Sequence, residues 1–158
     1  MMHYSFRPMR LGDALAIARW RYEGAYAHYN VNYPTILTVW LVQALFRLLG
    51  MNTYYAVCDE QGELVGVFSF YPRGENSLEV GLGMRPDKTG HGAGLDFVLA
   101  GLAFARERFN PKYFQLDVAV FNERARTVYE RAGFVPTGTM TRRVHGKRYD
   151  YIKMSRPA

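Results

Sequence analysis

The sequence predicts a mixed α/β domain. Apolar residues recur with period two in some segments and with helical period in others. The resulting order is β-α-α-β-β-β-α-β-α-β-β, and a strand-helix-strand crossover stands in mid-chain, where a parallel pair and a ligand crevice are expected. With 158 residues, 49% of them hydrophobic and 22% charged, the chain is long and apolar enough for one core, so residues 1–158 are expected to form a single domain without a linker.

The opening "HYSFRPM" alternates as a strand does. In "GDALAIARWRYEG", Asp13 is placed to cap a helix whose apolar residues Leu15, Ile17, Ala18 and Tyr22 recur at helical spacing. From Gly24 to Pro34 the pattern breaks into an aromatic loop, after which Thr35 can cap a second helix running to Leu49 and stopped by Gly50. "TYYAVCD" and "LVGVFSFYP", joined by "EQGE", read as a hairpin, and Leu78–Met84 as a third strand after the turn "RGENS". Leu95, Val98, Leu99 and Leu102 mark one face of a helix ending near Asn110-Pro111. "KYFQLDVAV" is then a strand and "NERARTVYERAG" a short helix, and "FVPTGTMTRRV" with "RYDYIKMS" closes the chain as a hairpin around "HGK".

Several classes are disfavoured. Residues 1–13 contain no apolar core of a secretory signal, and Ile36–Leu49 is shorter than the roughly 20 residues a bilayer needs, so it reads as a buried core helix. Cys58, the only cysteine, excludes an internal disulfide and suits a reducing cytosol. In an alternating strand it reads as a small buried hydrophobe. His28, His91 and His145 are dispersed without metal-ligand spacing, and no metal is expected. The net charge of +6 favours a polyanionic partner: nucleic acid, an anionic surface or a phosphorylated cofactor.

"TGHGAG", residues 89–94, sets Gly90, Gly92 and Gly94 on alternate positions directly before a helix. Such glycines let the backbone approach an anion, and the helix behind them directs free N–H groups and the positive end of its dipole at the same point. The other reading is a tight strand-to-helix turn that needs positive φ. The Walker pattern is absent, because Leu95-Asp96 follows Gly94, and G-x-G-x-G in mid-chain is not the dinucleotide fingerprint.

This segment resembles the signature of the GNAT superfamily of N-acetyltransferases: apolar-x-Pro, a spacer, then Arg/Gln-x-x-Gly-x-Gly/Ala at a helix N-terminus. Met84-Arg85-Pro86 and Thr89 to Gly94 fill those slots, with Thr89 in place of the usual Arg or Gln. The run "LDVAVFNERARTVYERAGF" resembles the family's next block through Asn122, Ala125, Tyr129, Gly133 and Phe134. The resemblance implies a mostly antiparallel central sheet with one splayed parallel pair and flanking helices. It also implies acetyl-CoA as cosubstrate, and transfer of its acetyl group to a primary amine by direct attack in a ternary complex.

The resemblance further implies roles residue by residue. Lys88, Thr89, Gly90, His91, Gly92, Ala93 and Gly94, with Asn122, would hold the cofactor, Lys88 supplying charge that Thr89 lacks. Backbone N–H groups near Gly83 and Met84 would meet the developing oxyanion. Tyr129 stands at the family's spacing for the group that protonates the thiolate, and a phenol near pKa 10 is protonated at neutral pH; the same residue also reads as an aromatic closing the core. For the base, Glu79 on the strand before the loop and Asp117 in "LDV" are both candidates, and either also reads as a strand carboxylate paired with an arginine. Glu79 is preferred.

The resemblance implies an amine acceptor, on a peptide N-terminus or a small molecule. The segment "YEGAYAHYNVNY" from Tyr22 to Tyr33 borders the acceptor side in this family, and Glu23, Tyr26 and Tyr29 suit a cation through charge and ring faces. A noncatalytic acyl-CoA-binding or sensor module and a different acyl group are the alternatives. Nucleic acid is an unlikely partner: "TRRVHGKRYDY" reads as a solvated hairpin, and cofactor phosphates already give the charge a purpose. No membrane partner is expected, a homodimer is possible, and the expected location is the cytoplasm.

Overall fold

A computed structural model of the chain describes residues 2–50 and 53–158. Seven strands form one mixed sheet: β1 (Ser5–Pro8), β2 (Tyr54–Cys58), β3 (Leu64–Arg73), β4 (Ser77–Met84), β5 (Tyr113–Ala119), β6 (Val135–Val144) and β7 (Lys147–Pro157). Their order is β1-β2-β3-β4-β5-β7-β6. The helices are α1 (Leu11–Ala18), α2 (Tyr33–Leu48), α3 (Gly94–Phe109) and α4 (Glu123–Arg131), with short 3-10 turns at Gly24–Tyr29 and Pro86–Lys88. β1–β2, β2–β3, β5–β7 and β6–β7 pair antiparallel, while β4–β5 is parallel, as a crossover through α3 requires. The parallel register runs Ser77–Tyr113, Leu78–Phe114, Glu79–Gln115. β4 itself continues to Met84.

The contacts group into two compact units. One comprises Phe70–Gly81 and Gly90–Ala158, with Met2 at the N-terminus; the other comprises His3–Ser69 and Leu82–Thr89. The first buries Phe97, Val98 and Leu102 of α3 along with Leu78, Phe114, Leu116 and Met154 of the sheet. Phe70 adds ring contacts of 6.0 Å to Phe104 and 5.4 Å to Phe109. The second is built on Met9, Ala14, Ile17, Ala18 and Ile36, with Trp20, Trp40 and Val67 packed against them. Cys58 is a buried free thiol on β2, as its place in an alternating strand predicts.

Four local details differ from the sequence reading. Asp13 is not the cap of α1: Arg10 holds that position, and Asp13, one turn in, accepts from the Arg10 N–H at 2.8 Å while pairing with both Arg7 guanidinium nitrogens. α2 is capped by Asn32, whose Oδ1 accepts from the Thr35 N–H at 2.9 Å, so Thr35 receives the cap instead of supplying it. α1 ends at Ala18, which leaves Tyr22 in the connection, and residues 24–29 wind as a 3-10 helix where a loop is expected. Finally, Ile36–Leu49 is not a buried core helix, since only Ile36 and Gln43 of α2 are buried and a row of leucines faces outward. None of the helices among the described residues is long and apolar enough to cross a membrane.

Candidate active site

The glycine loop takes the backbone form its sequence demands. Gly90 and Gly92 sit at φ +80° and +81°, a region L side chains rarely adopt. A Cβ on Gly92 would meet nothing within 4 Å, so the loop is open at that point. Gly94 begins α3, and a Cβ there would stand 3.2 Å from Val128 Cγ2 of α4, so the missing side chain permits close packing of the two helices. The first-turn N–H groups of this 16-residue helix have no partner within the helix and carry the positive end of its dipole. An open left-handed loop in front of such a terminus fits a pyrophosphate.

Arg124, on the first turn of α4, reaches the same loop: its Nη1 lies 3.5 Å from where a Cβ on Gly90 would stand. Sequence reasoning passed over this arginine because the resemblance assigns loop charge to position 89. The Thr89 hydroxyl is turned back onto the Pro86 carbonyl at 2.8 Å. Lys88 closes the 3-10 turn before it, donating its N–H to the Arg85 carbonyl at 2.9 Å, and His91 is exposed. Arg85 is a structural staple, donating to Leu64 O at 3.0 Å and forking onto Asp87 at 2.7 and 3.0 Å.

Asn122 caps α4, its Oδ1 accepting from the Ala125 N–H at 3.1 Å. Tyr129, half-buried on the same helix, sets its ring edge-on to Phe134 at 6.1 Å. Its backbone carbonyl accepts from the Phe134 N–H at 3.0 Å, fixing the end of the helix on which the phenol stands.

Both candidate bases sit in ion pairs. Glu79 accepts from Arg73 Nε at 2.7 Å and from its Nη2 at 3.2 Å, and this hydrogen bonding holds the carboxyl below its ordinary value; burial opposes the shift, and the charges of Arg73, Arg142 and Lys153 reinforce it. Asp117, the less exposed of the two, is bonded by Arg142 Nη2. The Arg142 guanidinium also lies 5.1 Å from the centre of the Tyr151 ring.

The remaining predicted residues belong to the unit built on His3–Ser69 and Leu82–Thr89. Gly83 and Met84 end β4, and the Tyr22 hydroxyl donates to the Met84 carbonyl at 2.7 Å. Asn30 clasps the backbone of Tyr22 from both sides, accepting from its N–H at 2.8 Å and donating to its carbonyl at 3.3 Å, which closes the 22–30 segment on itself. Within that segment Glu23 is exposed and its carbonyl accepts from the Tyr26 N–H at 3.2 Å. Tyr26 is half-buried, and Tyr29 meets Tyr22 edge-on at 6.4 Å and His28 at 5.0 Å.

A seven-stranded mixed sheet of this order, with one parallel pair and flanking helices, is the fold of the GNAT-like acyl-CoA N-acyltransferase class. The family described as "Acetyltransferase (GNAT) domain" matches residues 4–135, and the chain belongs to that family. It is an acetyl-CoA-dependent N-acetyltransferase. No curated protein matches it by sequence. Solved structures are similar in fold. A spermidine N-acetyltransferase from Vibrio cholerae in complex with CoA and spermine superposes with a TM-score of 0.81 at 21% identity, covering 98% of this chain and 95% of that one. A chimera of the Vibrio cholerae spermidine N-acetyltransferase SpeG and hSSAT gives 0.80 at 23% identity, over 96% and 93%. A dodecameric structure of the Vibrio cholerae enzyme gives 0.75 at 21%, over 98% and 93%.

Proposed function

We propose that this protein transfers the acetyl group of acetyl-CoA to a primary amine of a small polycationic acceptor by direct attack in a ternary complex. The observation that carries the reading is the Gly90–Gly94 loop, left-handed at Gly90 and Gly92 and opening onto α3, within a chain of the GNAT family. The family match runs from residue 4 to 135 through residues of both compact units, which supports one catalytic domain over 1–158.

In this reading the amides of Gly90 to Gly94 bind the pyrophosphate. Ala93 and His91 keep the loop's spacing, Asn122 holds the start of α4, and Lys88 and Arg124 supply positive charge in place of the arginine or glutamine that Thr89 replaces. Acetyl-CoA supplies an activated acyl group when bound. Gly83 and Met84 N–H groups stabilise negative charge on the carbonyl oxygen as the amine nitrogen forms its bond to carbon. Tyr129 gives its phenolic proton to sulfur as the carbon–sulfur bond breaks. The amine's surplus proton passes through water to Glu79, or to Asp117, each of which is paired with an arginine.

The acceptor lies against the 22–29 segment, with Glu23 pairing the ammonium groups and Tyr26 and Tyr29 offering ring faces. Solved relatives of the same fold act on spermidine, and one holds spermine; that favours a polyamine-like acceptor over a peptide N-terminus. The single buried Cys58 fits a cytoplasmic setting.

The test is thiol release from acetyl-CoA against a panel of polyamines, aminoglycosides and peptide N-termini. Turnover with polyamines supports the reading, and turnover with peptides alone would replace the acceptor. Binding of acetyl-CoA without turnover on any amine would make the protein a sensor module.

A further inference from the structure

α2 is apolar on its outward side. Between Tyr33 and Leu49 the only charged residue is Arg47, whose guanidinium donates to the Met9 carbonyl at 3.4 Å. On the outward side Leu37, Leu41, Val42, Leu45, Leu48 and Leu49 fall on one stripe of helical spacing, with Thr38 the only polar residue among them. These side chains are exposed: Leu41 by 62%, Leu45 by 58%, Leu48 by 84% and Leu49 by 66%. A surface helix ordinarily turns charged residues to water on this side. α2 has 16 residues, too few to span a bilayer.

We infer that the outward face of α2 is the interface through which two copies of this chain associate, helix against antiparallel helix across a two-fold axis. Three observations select a second copy. The exposed apolar area of the six residues is on the order of 600 Å², at the top of the range for a monomer's largest patch and most of the ~800 Å² each partner contributes to a stable interface. The stripe is self-complementary, because leucines at 37, 41, 45 and 48 set Leu41 of one copy against Leu45 of the other and Leu37 against Leu48. It also lacks the flanking Lys and Arg with which an interfacial helix meets anionic lipid. The inference rests on this face and is independent of the acetyltransferase reading.

The test is sedimentation velocity on the full-length chain at micromolar concentrations, alone and as two variants, Leu41→Arg and Leu45→Glu, each checked by circular dichroism. The wild type is expected to sediment as a dimer or larger assembly. Each charge placed in the seam should weaken association by roughly 100-fold or more, since it would be buried without a partner. Mixing the two variants should restore association, because arginine on one copy then faces glutamate on the other. A monomeric wild type would overturn the inference, as would an assembly that neither substitution affects. So would a wild type that binds vesicles of mixed phosphatidylcholine and phosphatidylglycerol, and loses that binding on Leu41→Arg, without self-association.

Discussion

The Tyr22 hydroxyl donates to the carbonyl of Met84 at 2.7 Å, tying the segment between α1 and α2 to the last residue of β4 across 62 positions of sequence. Burial pushes the Tyr22 phenol up to about 12, so it remains a donor throughout the physiological range. Tyr22→Phe keeps the ring and leaves the carbonyl without this donor, a loss of about 1 kcal/mol. If the β4 terminus positions the acetyl group, kcat should fall about 10-fold while acetyl-CoA affinity stays within 2-fold. Steady-state kinetics with calorimetric binding checks this. Stability offers a second readout: the native state keeps a proton that the unfolded chain releases from about pH 10, so unfolding free energy falls as pH rises toward 12. The variant should lose that slope.

Gly92→Val should remove most acetyl-CoA affinity. At φ +81° a β-branched residue is strained by about 1–2 kcal/mol, and its side chain fills the open side of the loop. The thermal shift on adding acetyl-CoA should vanish while the far-ultraviolet spectrum is kept. Arg124→Gln, which leaves the loop intact, should weaken acetyl-CoA binding about 5-fold and lessen its dependence on salt.

Tyr129→Phe should lower kcat by roughly 10²–10⁴-fold with little change in acetyl-CoA binding, the range for a lost general acid. A thiol of low pKa needs less help in leaving. The deficit should therefore shrink when the acetyl group is presented on a more acidic thiol that retains the pantetheine and nucleotide.

What the sequence made legible was local. Alternate glycines before an apolar helix reveal their loop, and the crossover through α3 follows from neighbouring segments of different period. Turn and cap chemistry was harder where two adjacent registers satisfy it. Asp13 suits either the cap or the position one turn in, and Asn32 and Thr35 both stand where a cap can form. That each candidate carboxylate could pair with an arginine was legible, but which arginine folding would bring to it was not. Arg73 and Arg142, which hold Glu79 and Asp117, lie 6 and 25 positions away, the second brought close through the β6–β7 hairpin. The apolar composition of α2 likewise reads as burial until the fold shows which side is covered.

Those ion pairs shape the behaviour of the candidate bases. Arg73 holds Glu79 below the usual carboxylate range, so any stabilisation from the pair is present above the unfolded pKa and lost only as pH falls through the depressed folded value. If Glu79 receives the amine's proton, Glu79→Gln should lose activity near neutrality and regain part of it at high pH, where free amine is abundant. Arg73→Ala should then move the acidic limb of kcat/KM to higher pH. Asp117→Asn serves as the comparison. If the same recovery appears there and not in Glu79→Gln, the base is Asp117, and if neither variant changes the pH profile, solvent takes the proton.

The acceptor segment gives a prediction that separates binding from scaffold. Glu23 is exposed at the start of the 3-10 helix and contributes its backbone carbonyl to that turn, so Glu23→Gln changes the charge and leaves the hydrogen bond. An ammonium paired with an exposed carboxylate gains about 0.2–1 kcal/mol, so the acceptor KM should rise about 2- to 5-fold. The rise should be larger for an acceptor with three positive charges than for one with two. Tyr26→Ala removes a ring face and some packing, and should raise the acceptor KM several-fold while acetyl-CoA binding is kept. The Asn30 clasp on Tyr22 supplies the control: Asn30→Ala opens the segment without removing charge or ring. If the segment binds the acceptor, all three variants raise the acceptor KM, and Glu23→Gln does so without lowering the melting temperature appreciably, whereas Asn30→Ala lowers it. Equal loss of both substrates in Glu23→Gln would show that the segment serves as scaffold.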